Sequence, residues 1–252
     1  MTQHTIDIDK ANEELKDATA HEVLHWVYRT FEPSRVKLST SFGAEGSALI
    51  HMLISMGIMP RVFFIDTCRN FQETYDVWHE FTERYGLKVE SFGPDPADIA
   101  ELTREHGPNM FYADVESRKL CCYIRKVKPL KRALADADAW IAALRRGQSE
   151  ARAGTPIVSF SEEHGVYKIC PIAKWSEEDV WEYVRNNNVP YNALYDKGFP
   201  SIGCAPCTRP VRPAEGKRAS RWWWEEDPRK ECGIHIEDGK VVRKPKGGSY
   251  SI

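Results

Sequence analysis

The sequence predicts an α/β fold, a mostly parallel sheet flanked by helices. Two observations carry that expectation. From residue 35 to residue 106, strand-like and helix-like segments alternate, with glycines (Gly57, Gly86, Gly107) at the helix ends, the residue that most readily closes a helix. Residues 61–67, Arg-Val-Phe-Phe-Ile-Asp-Thr, form a nearly continuous apolar run. Such a run marks a strand covered on both faces, which parallel sheets require and one-sided antiparallel sheets do not.

Each element follows in order. Residues 12–31 place Leu15, Val23, Leu24, Val27, Tyr28 and Phe31 at helical spacing, predicting one amphipathic opening helix. Residues 35–41 read as a strand entering a glycine-containing turn, and 44–56 as the helix behind it. The buried strand leads to a helix over 71–85, a strand over 87–92 and a helix over 97–106. Beyond Pro108 the rhythm changes. Residues 115–127 read as one helix carrying Cys121 and Cys122, 139–144 as a strand leading into Arg145 and Arg146, 151–156 as a loop, and 166–170 as a short strand. Ser176 with Asp179 three residues on resembles a capping box, opening a helix with Val180, Tyr183 and Val184 inward. From Tyr195 onward Gly, Pro and Arg dominate, so irregular structure around a site is expected. Residues 1–225 are expected to form one domain containing that site. Residues 226–252 are expected to form a mobile segment, with too little apolar content near the end to stay ordered alone.

Composition narrows the function classes. A length of 252 residues suits one large domain with an extension, and a net charge of −2 gives no global attraction to nucleic acid or to a membrane. No stretch approaches the ~18 apolar residues of a membrane span, and the first residues lack the basic head and apolar run of a signal peptide. The seven cysteines are odd in number and suit metal better than a disulfide framework, which points to a reducing cytoplasm.

Five of those cysteines carry most of the chemistry. Cys121–Cys122 and Cys204-x-x-Cys207 are two pairs about eighty residues apart, the pattern of a metal site assembled by folding. Zinc prefers four well-spread tetrahedral ligands, and adjacent residues reach one ion only with strain. A [4Fe–4S] cluster offers four separate iron corners, so vicinal thiolates favour the cluster over zinc. Cys232, alone in the last segment, reads as a nucleophile. Lys126, four residues beyond Cys122, would sit one helical turn away as a counter-charge to the cluster. Residues 38–47, containing Ser39, Thr40, Ser41, Gly43 and Glu45, join a strand to a helix, where hydroxyls and open backbone N–H groups hold anions. They look like a modified Ser-Gly-Gly-x-Asp-Ser pyrophosphate loop, with Phe42, Glu45 and Gly46 at its second, fifth and sixth positions. Ile65, Asp66 and Thr67 end the buried strand, where open α/β sheets bind ligands, although Asp66 could equally cap the next helix. Arg218 and Arg221, three apart, could converge on one anion with Arg145 and Arg146 completing the cage. Trp222, Trp223 and Trp224 read as packing residues, and Cys170 has no assigned role.

These motifs together resemble the assimilatory adenylyl-sulfate (APS) reductases, the iron–sulfur relatives of PAPS reductase. The resemblance spans residues 36–235 and rests on Ser-Thr-Ser-Phe-Gly-Ala-Glu, Ile-Asp-Thr, Cys-Cys-x-x-Arg-Lys, Pro-Ser-Ile-Gly-Cys-x-Pro-Cys-Thr-Arg-Pro, Arg-Trp-Trp-Trp-Glu and Lys-Glu-Cys-Gly-Ile-His. It implies a Rossmann-like, adenine nucleotide alpha hydrolase-like fold and a [4Fe–4S] cluster on Cys121, Cys122, Cys204 and Cys207. It further implies a catalytic Cys232 assisted by Lys126 and His235, with Arg125 among the substrate-binding residues. The implied reaction is reduction of adenylyl sulfate to sulfite and AMP through S-sulfocysteine, in assimilatory sulfate reduction and cysteine biosynthesis. The implied partner is reduced thioredoxin or a glutaredoxin-like donor, and a homo-oligomer is expected. A dual APS/PAPS reductase is the first alternative and a cluster-containing tRNA-thiolating enzyme the second. The sequence departs from the family at Cys68, where relatives usually have Gly, and in the extension after His235.

Overall fold

The computed structural model describes residues 6–212 and 215–225. Cys232 and His235 lie outside them, as does the segment 226–252 as a whole. Six strands form one sheet among the described residues: β1 (Val36–Thr40), β2 (Arg61–Ile65), β3 (Val89–Phe92), β4 (Ala139–Ala142), β5 (Val158–Ser161) and β6 (Val166–Ile169). Their order is β3-β2-β1-β4-β6-β5. All neighbours run parallel except β5, which is antiparallel to β6. Successive side chains of a strand point to opposite faces, so the four consecutive buried residues of β4 and the buried centre of β2 require cover on both sides. The helices supply it: α1 (Ile8–Glu14), α2 (Ala20–Thr30), α3 (Ala44–Ser55), α4 (Gln72–Tyr85), α5 (Pro96–His106), α6 (Val115–Cys122), α7 (Lys128–Leu134) and α8 (Glu177–Asn186). The mostly parallel α/β fold expected from the sequence is what the structure has.

Three local expectations change. The opening helix is two helices, because Thr19 starts a new one: its hydroxyl accepts from Glu22 N–H at 3.3 Å and its own N–H donates to Glu22 Oε2 at 2.7 Å. This capping box satisfies orphan N–H groups that a continuous helix would not have. The edge strand β5, not anticipated, is held by Asn12 of α1. The Asn12 amide donates to Val158 O at 2.7 Å and accepts from Ile157 and Val158 N–H at 3.1 and 3.0 Å. A side chain thereby covers the open edge.

The third change falls at the site. The helix expected over 115–127 ends as an α-helix at Cys122 and continues as a π turn, Tyr123–Val127, in which Lys128 N–H donates to Tyr123 O. Pro129 explains it. A proline in regular α-helix would lose its own hydrogen bond and press its ring on the carbonyl of Arg125, four residues back. The wider turn relieves that clash, and it leaves Arg125 and Lys126 both buried.

Candidate active site

The sheet reverses direction at β1. The chain runs outward through β2 and β3, then returns to place β4 on the other side of β1. Crevices at such switch points, beyond the carboxyl ends of the strands, are where open α/β sheets hold ligands. The loop after β1 meets the loop after β4 here. Glu45 Oε1 accepts from Arg145 Nη2 and Nε at 2.9 and 3.0 Å and from Gln148 at 3.0 Å. Glu45 and Arg145, both expected to touch substrate, are thus joined to each other and brace the two walls. Arg146 parts from Arg145: it is exposed and its Nε donates to Thr155 O at 2.9 Å.

Within the loop, Ser39 Oγ accepts from Trp140 Nε1 at 2.7 Å and Thr40 Oγ1 accepts from Phe42 N–H at 2.9 Å. The Thr40 hydroxyl shapes the turn and the Ser39 hydroxyl ties β1 to β4, whereas Ser41 is exposed. Phe42 adopts φ 54°, the left-handed region that explains why the usual pyrophosphate loop has glycine there. Full burial of its ring against Phe64, Trp78 and Phe81 offsets the cost. Gly43 is the N-cap of α3 and has no side chain of its own to cap the helix. Ala44 N–H donates to the Tyr195 hydroxyl at 3.2 Å. With Ala44 N–H taken by Tyr195, the remaining first-turn N–H groups are the donors that the helix start offers an anion.

At the end of β2, Asp66 is not the helix cap, a place taken by Phe71. Its Oδ1 accepts from Cys68 N–H at 2.8 Å, from Tyr75 Oη at 2.8 Å and from Asn70 at 3.2 Å. Burial, followed by this carboxylate, pushes the Tyr75 hydroxyl up to about 12. Ile65 is half-buried just before it. Cys68 is exposed and has φ 56°, again the region where glycine is at home. Left-handed backbone costs an L-residue about 1–2 kcal/mol, and glycine's extra chain entropy offsets part of the relief. Cys68→Gly is expected to raise stability by about 0.5–1 kcal/mol, read as a higher urea midpoint; a lower midpoint would show that the Cys68 side chain holds the loop.

Thr67 leads to the cysteines. Its hydroxyl accepts from the Cys204 thiol at 3.3 Å, its carbonyl accepts from Arg125 Nη1 at 2.8 Å, and Ala205 N–H donates to Arg69 O at 2.7 Å. The Cys-x-x-Cys loop is thereby pinned to the carboxyl end of β2. Cys121, Cys122, Cys204 and Cys207 line one cavity with Arg69, Arg118, Arg125 and Lys126. All four thiols are buried. Burial, then the neighbouring Cys204, pushes the Cys207 thiol up to about 12, against the pull of Lys126 and Arg221. Cys121 is raised by burial as well, with Arg125 opposing and Cys204 adding to it. Buried thiols pushed up as those of Cys121 and Cys207 are have little thiolate and are inert on their own. They become useful when a metal centre takes their protons, and the ring of cations suits the resulting negative charge. Among the described residues no three His, Cys, Asp or Glu side chains form a group that could hold a single metal ion. Four buried sulfurs in one cavity walled by arginines and a lysine are a donor set that suits a thiolate-bound metal centre.

Residues after Cys207 pack beside this cavity, with Trp222 in one buried cluster with Phe111, Cys121, Cys204 and Cys207. Arg221 is buried with Nη1 3.4 Å from Ser201 Oγ, and a Cβ on Gly203 would collide with its guanidinium. Trp222 is sandwiched between the guanidiniums of Arg118 and Arg221, each 4.6 Å from its ring. Arg118 in turn makes a buried two-point ion pair with Glu225, at 2.7 and 2.9 Å. Arg118 and Glu225 escaped the sequence reading, although Arg118 stands three and four residues before the cysteine pair, on their helix face. Tyr195, Gln148 and Trp140 gave no such periodic signal. Arg218 belongs to the 3-10 turn Lys217–Ser220, and its side chain lies outside those described.

With this geometry in view, the comparisons become specific. Residues 35–210 match the phosphoadenosine phosphosulfate reductase domain, and the chain belongs to that family. An adenosine 5'-phosphosulfate reductase of Burkholderia cepacia is 46% identical over 202 residues, 80% of this chain and 81% of that protein. One from Allochromatium vinosum is 42% identical over 220 residues, 87% of this chain and 85% of its own. Among solved structures, the phosphoadenylyl-sulfate (PAPS) reductase of Candida auris in its phosphate complex superposes with a TM-score of 0.71 at 28% identity, covering 83% of this chain and 99% of that one.

Proposed function

We propose that this chain reduces adenylyl sulfate to sulfite and AMP, in the branch of sulfate assimilation that feeds cysteine biosynthesis. The observation that carries the reading is the pinning of the cysteine cavity to the end of β2 through Thr67, Arg69 and Arg125. It holds the cationic cavity of the four cysteines at the carboxyl end of β2, in a fold of the sulfonucleotide reductase family. The 46% and 42% identical relatives, both named for adenosine 5'-phosphosulfate, support that substrate over the 3'-phosphorylated one.

In this reading the N-terminus of α3 and the Ser41–Gly43 turn bind the nucleotide's anion, with Asp66 ordering the neighbouring loop. Lys126, Arg125 and Arg221 face the sulfuryl end, with Arg218 and the Glu45-braced Arg145 around the phosphate; Arg146, exposed and held on Thr155 O, stands apart from that cage. Cys232 attacks the sulfuryl sulfur as a thiolate, the sulfur–oxygen bond breaks, and AMP departs with the electron pair, leaving S-sulfocysteine. His235, two residues after Gly233, serves that thiolate. Buried cations that meet the departing charge lower the barrier. A dithiol of the thioredoxin or glutaredoxin class then attacks Cys232 Sγ and sulfite leaves, after which its second thiol frees Cys232 as a thiol.

Cys121, Cys122, Cys204 and Cys207 would hold a [4Fe–4S] cluster, which when bound supplies negative charge amid these cations and ties the two cysteine segments together. Assignment to the cytoplasm, as a homo-oligomer, completes the proposal; among the described residues no helix is long and apolar enough to cross a membrane. The test is an anaerobic preparation assayed with APS and PAPS side by side and reduced thioredoxin. It should carry about four irons and four sulfides per chain and release sulfite from APS. Stoichiometric zinc without iron would defeat the cluster, and sulfite from neither nucleotide would defeat the reaction.

A further inference from the structure

We propose that the groove lined by Tyr112, Pro206, Thr208, Arg209, Arg212 and Trp223 is the face on which the external dithiol protein docks. This rests on the reading that Cys232 carries the sulfonate. The groove encloses about 580 Å³ and runs along the Cys204–Cys207 loop, on the outside of the cysteine cavity. Four large hydrophobic side chains are exposed among the described residues: Met59, Tyr112, Tyr191 and Trp223. Two of the four line this groove, Tyr112 at 42% and Trp223 at 48% exposure, with rings 6.3 Å apart.

The aromatic pair is fixed in place. Tyr112 Oη donates to Pro206 O at 2.9 Å, and Trp224 packs against both rings, with centroids 4.5 Å from Tyr112 and 5.4 Å from Trp223. Aromatic anchors already held in position lose little freedom on binding, and such residues carry most of the energy of protein interfaces. The groove is poorly suited to a small anion. Arg209 is spent on Glu215 at 2.8 and 2.9 Å, and Arg212 N–H donates to the same carboxylate, which leaves the exposed Arg212 side chain as the main charge. The matching partner has an apolar face around its thiols and a carboxylate at the rim.

Chain length limits where that partner can sit. Glu225 is anchored by Arg118, and Cys232 lies seven residues further on. At ~3.3–3.6 Å per residue, the Cys232 Cα stays within about 25 Å of the Glu225 Cα whatever path the segment takes. A standard interface covers about 800 Å² of each partner, a disc of about 16 Å radius. Any protein that places a sulfur on Cys232 must therefore sit close to Glu225, and the exposed aromatic Trp223 is two residues from that anchor.

The full chain carrying Trp223→Ala tests this, with Arg212→Glu as a second variant that touches only an exposed side chain. Two half-reactions are read separately: the sulfonate gained by Cys232 from APS, by mass, and its release as sulfite. Both variants are expected to take up the sulfonate like the wild type and to release it normally to dithiothreitol, which needs no docking face. The thioredoxin concentration for half-maximal release should rise at least about tenfold. An unchanged thioredoxin dependence, or an equal loss with dithiothreitol, overturns the assignment. Slowed sulfonation with normal thioredoxin dependence would mean that the segment after Glu225 fills the groove, and an altered oligomeric mass that a second copy does; either overturns it too. A wild-type chain that takes up no sulfonate refutes the reading beneath the proposal instead.

Discussion

Cys232→Ser is expected to abolish sulfite production while APS still binds and the iron content holds. Displacement at sulfur needs a soft nucleophile that ionises near neutral pH, and a serine hydroxyl is neither soft nor ionised. The groups assigned to the nucleotide and its anions lie between Ser39 and Arg221, in segments that the substitution leaves alone. In the wild type, APS without a dithiol should leave a covalent sulfonate on the peptide containing Cys232, a gain of about 80 Da, the mass of the –SO₃ group left by the displacement. Reduced thioredoxin should remove it. The rival thiols are few. Among the described cysteines only Cys68 is exposed, and burial followed by Asp66 raises its pKa, which lowers its thiolate fraction. An adduct found on Cys68 or Cys170, or none at all, would refute the assignment of Cys232 as nucleophile.

The fold was legible where one rule governed each segment. The apolar run of β2 and the helix ends at Gly86 and Gly107 sit where their patterns put them, and Ser176 accepts from Asp179 N–H at 3.0 Å as the capping box requires. It was less legible where two rules competed. The opening segment has unbroken helical spacing, yet Thr19 and Glu22 cap a fresh start inside it. In the cysteine helix the reading over 115–127 is continuous, and Pro129, two residues beyond it, brings in the second rule by disfavouring a regular α turn there; the π turn satisfies both.

At the site, cysteine spacing announced a shared cavity because thiols separated by about eighty residues have few other reasons to pair. Long-range pairings such as Glu45 with Arg145, or Arg118 with Glu225, leave no local signature, since nothing near one residue depends on the other until the chain has folded. Phe42 and Cys68 show the same limit from the other side. Each occupies backbone suited to glycine, and only the dihedral angles, 54° and 56°, reveal what the substitution costs.

Lys126→Ala is expected to slow turnover by ~10²–10³-fold, since a charge-assisted contact to a developing anion is typically worth ~2–4 kcal/mol in the transition state. The spacing from Cys122 first singled out this lysine, and the π turn strengthens the case by burying it in the wall of the cysteine cavity beside Arg125. A buried ammonium is costly to keep, so its position among four thiols is more than that of a charge at a helix end. It acts electrostatically on both Cys121 and Cys207, one from each pair, and it shares the cavity wall with Arg125, whose Nη1 grips the carbonyl of Thr67 at the end of β2. The cation therefore lines the cysteine cavity next to the arginine that ties that cavity to the end of β2. Arg125 and the other cations of the cavity remain in the variant, so iron content and the denaturation midpoint should change far less than kcat. Lys126→Arg, which keeps the charge but spreads it over a planar fork, should recover part of the lost rate. A variant with wild-type kcat and KM would show that Lys126 only lines the cavity, and a loss of iron in step with activity would show that its role is to retain the metal.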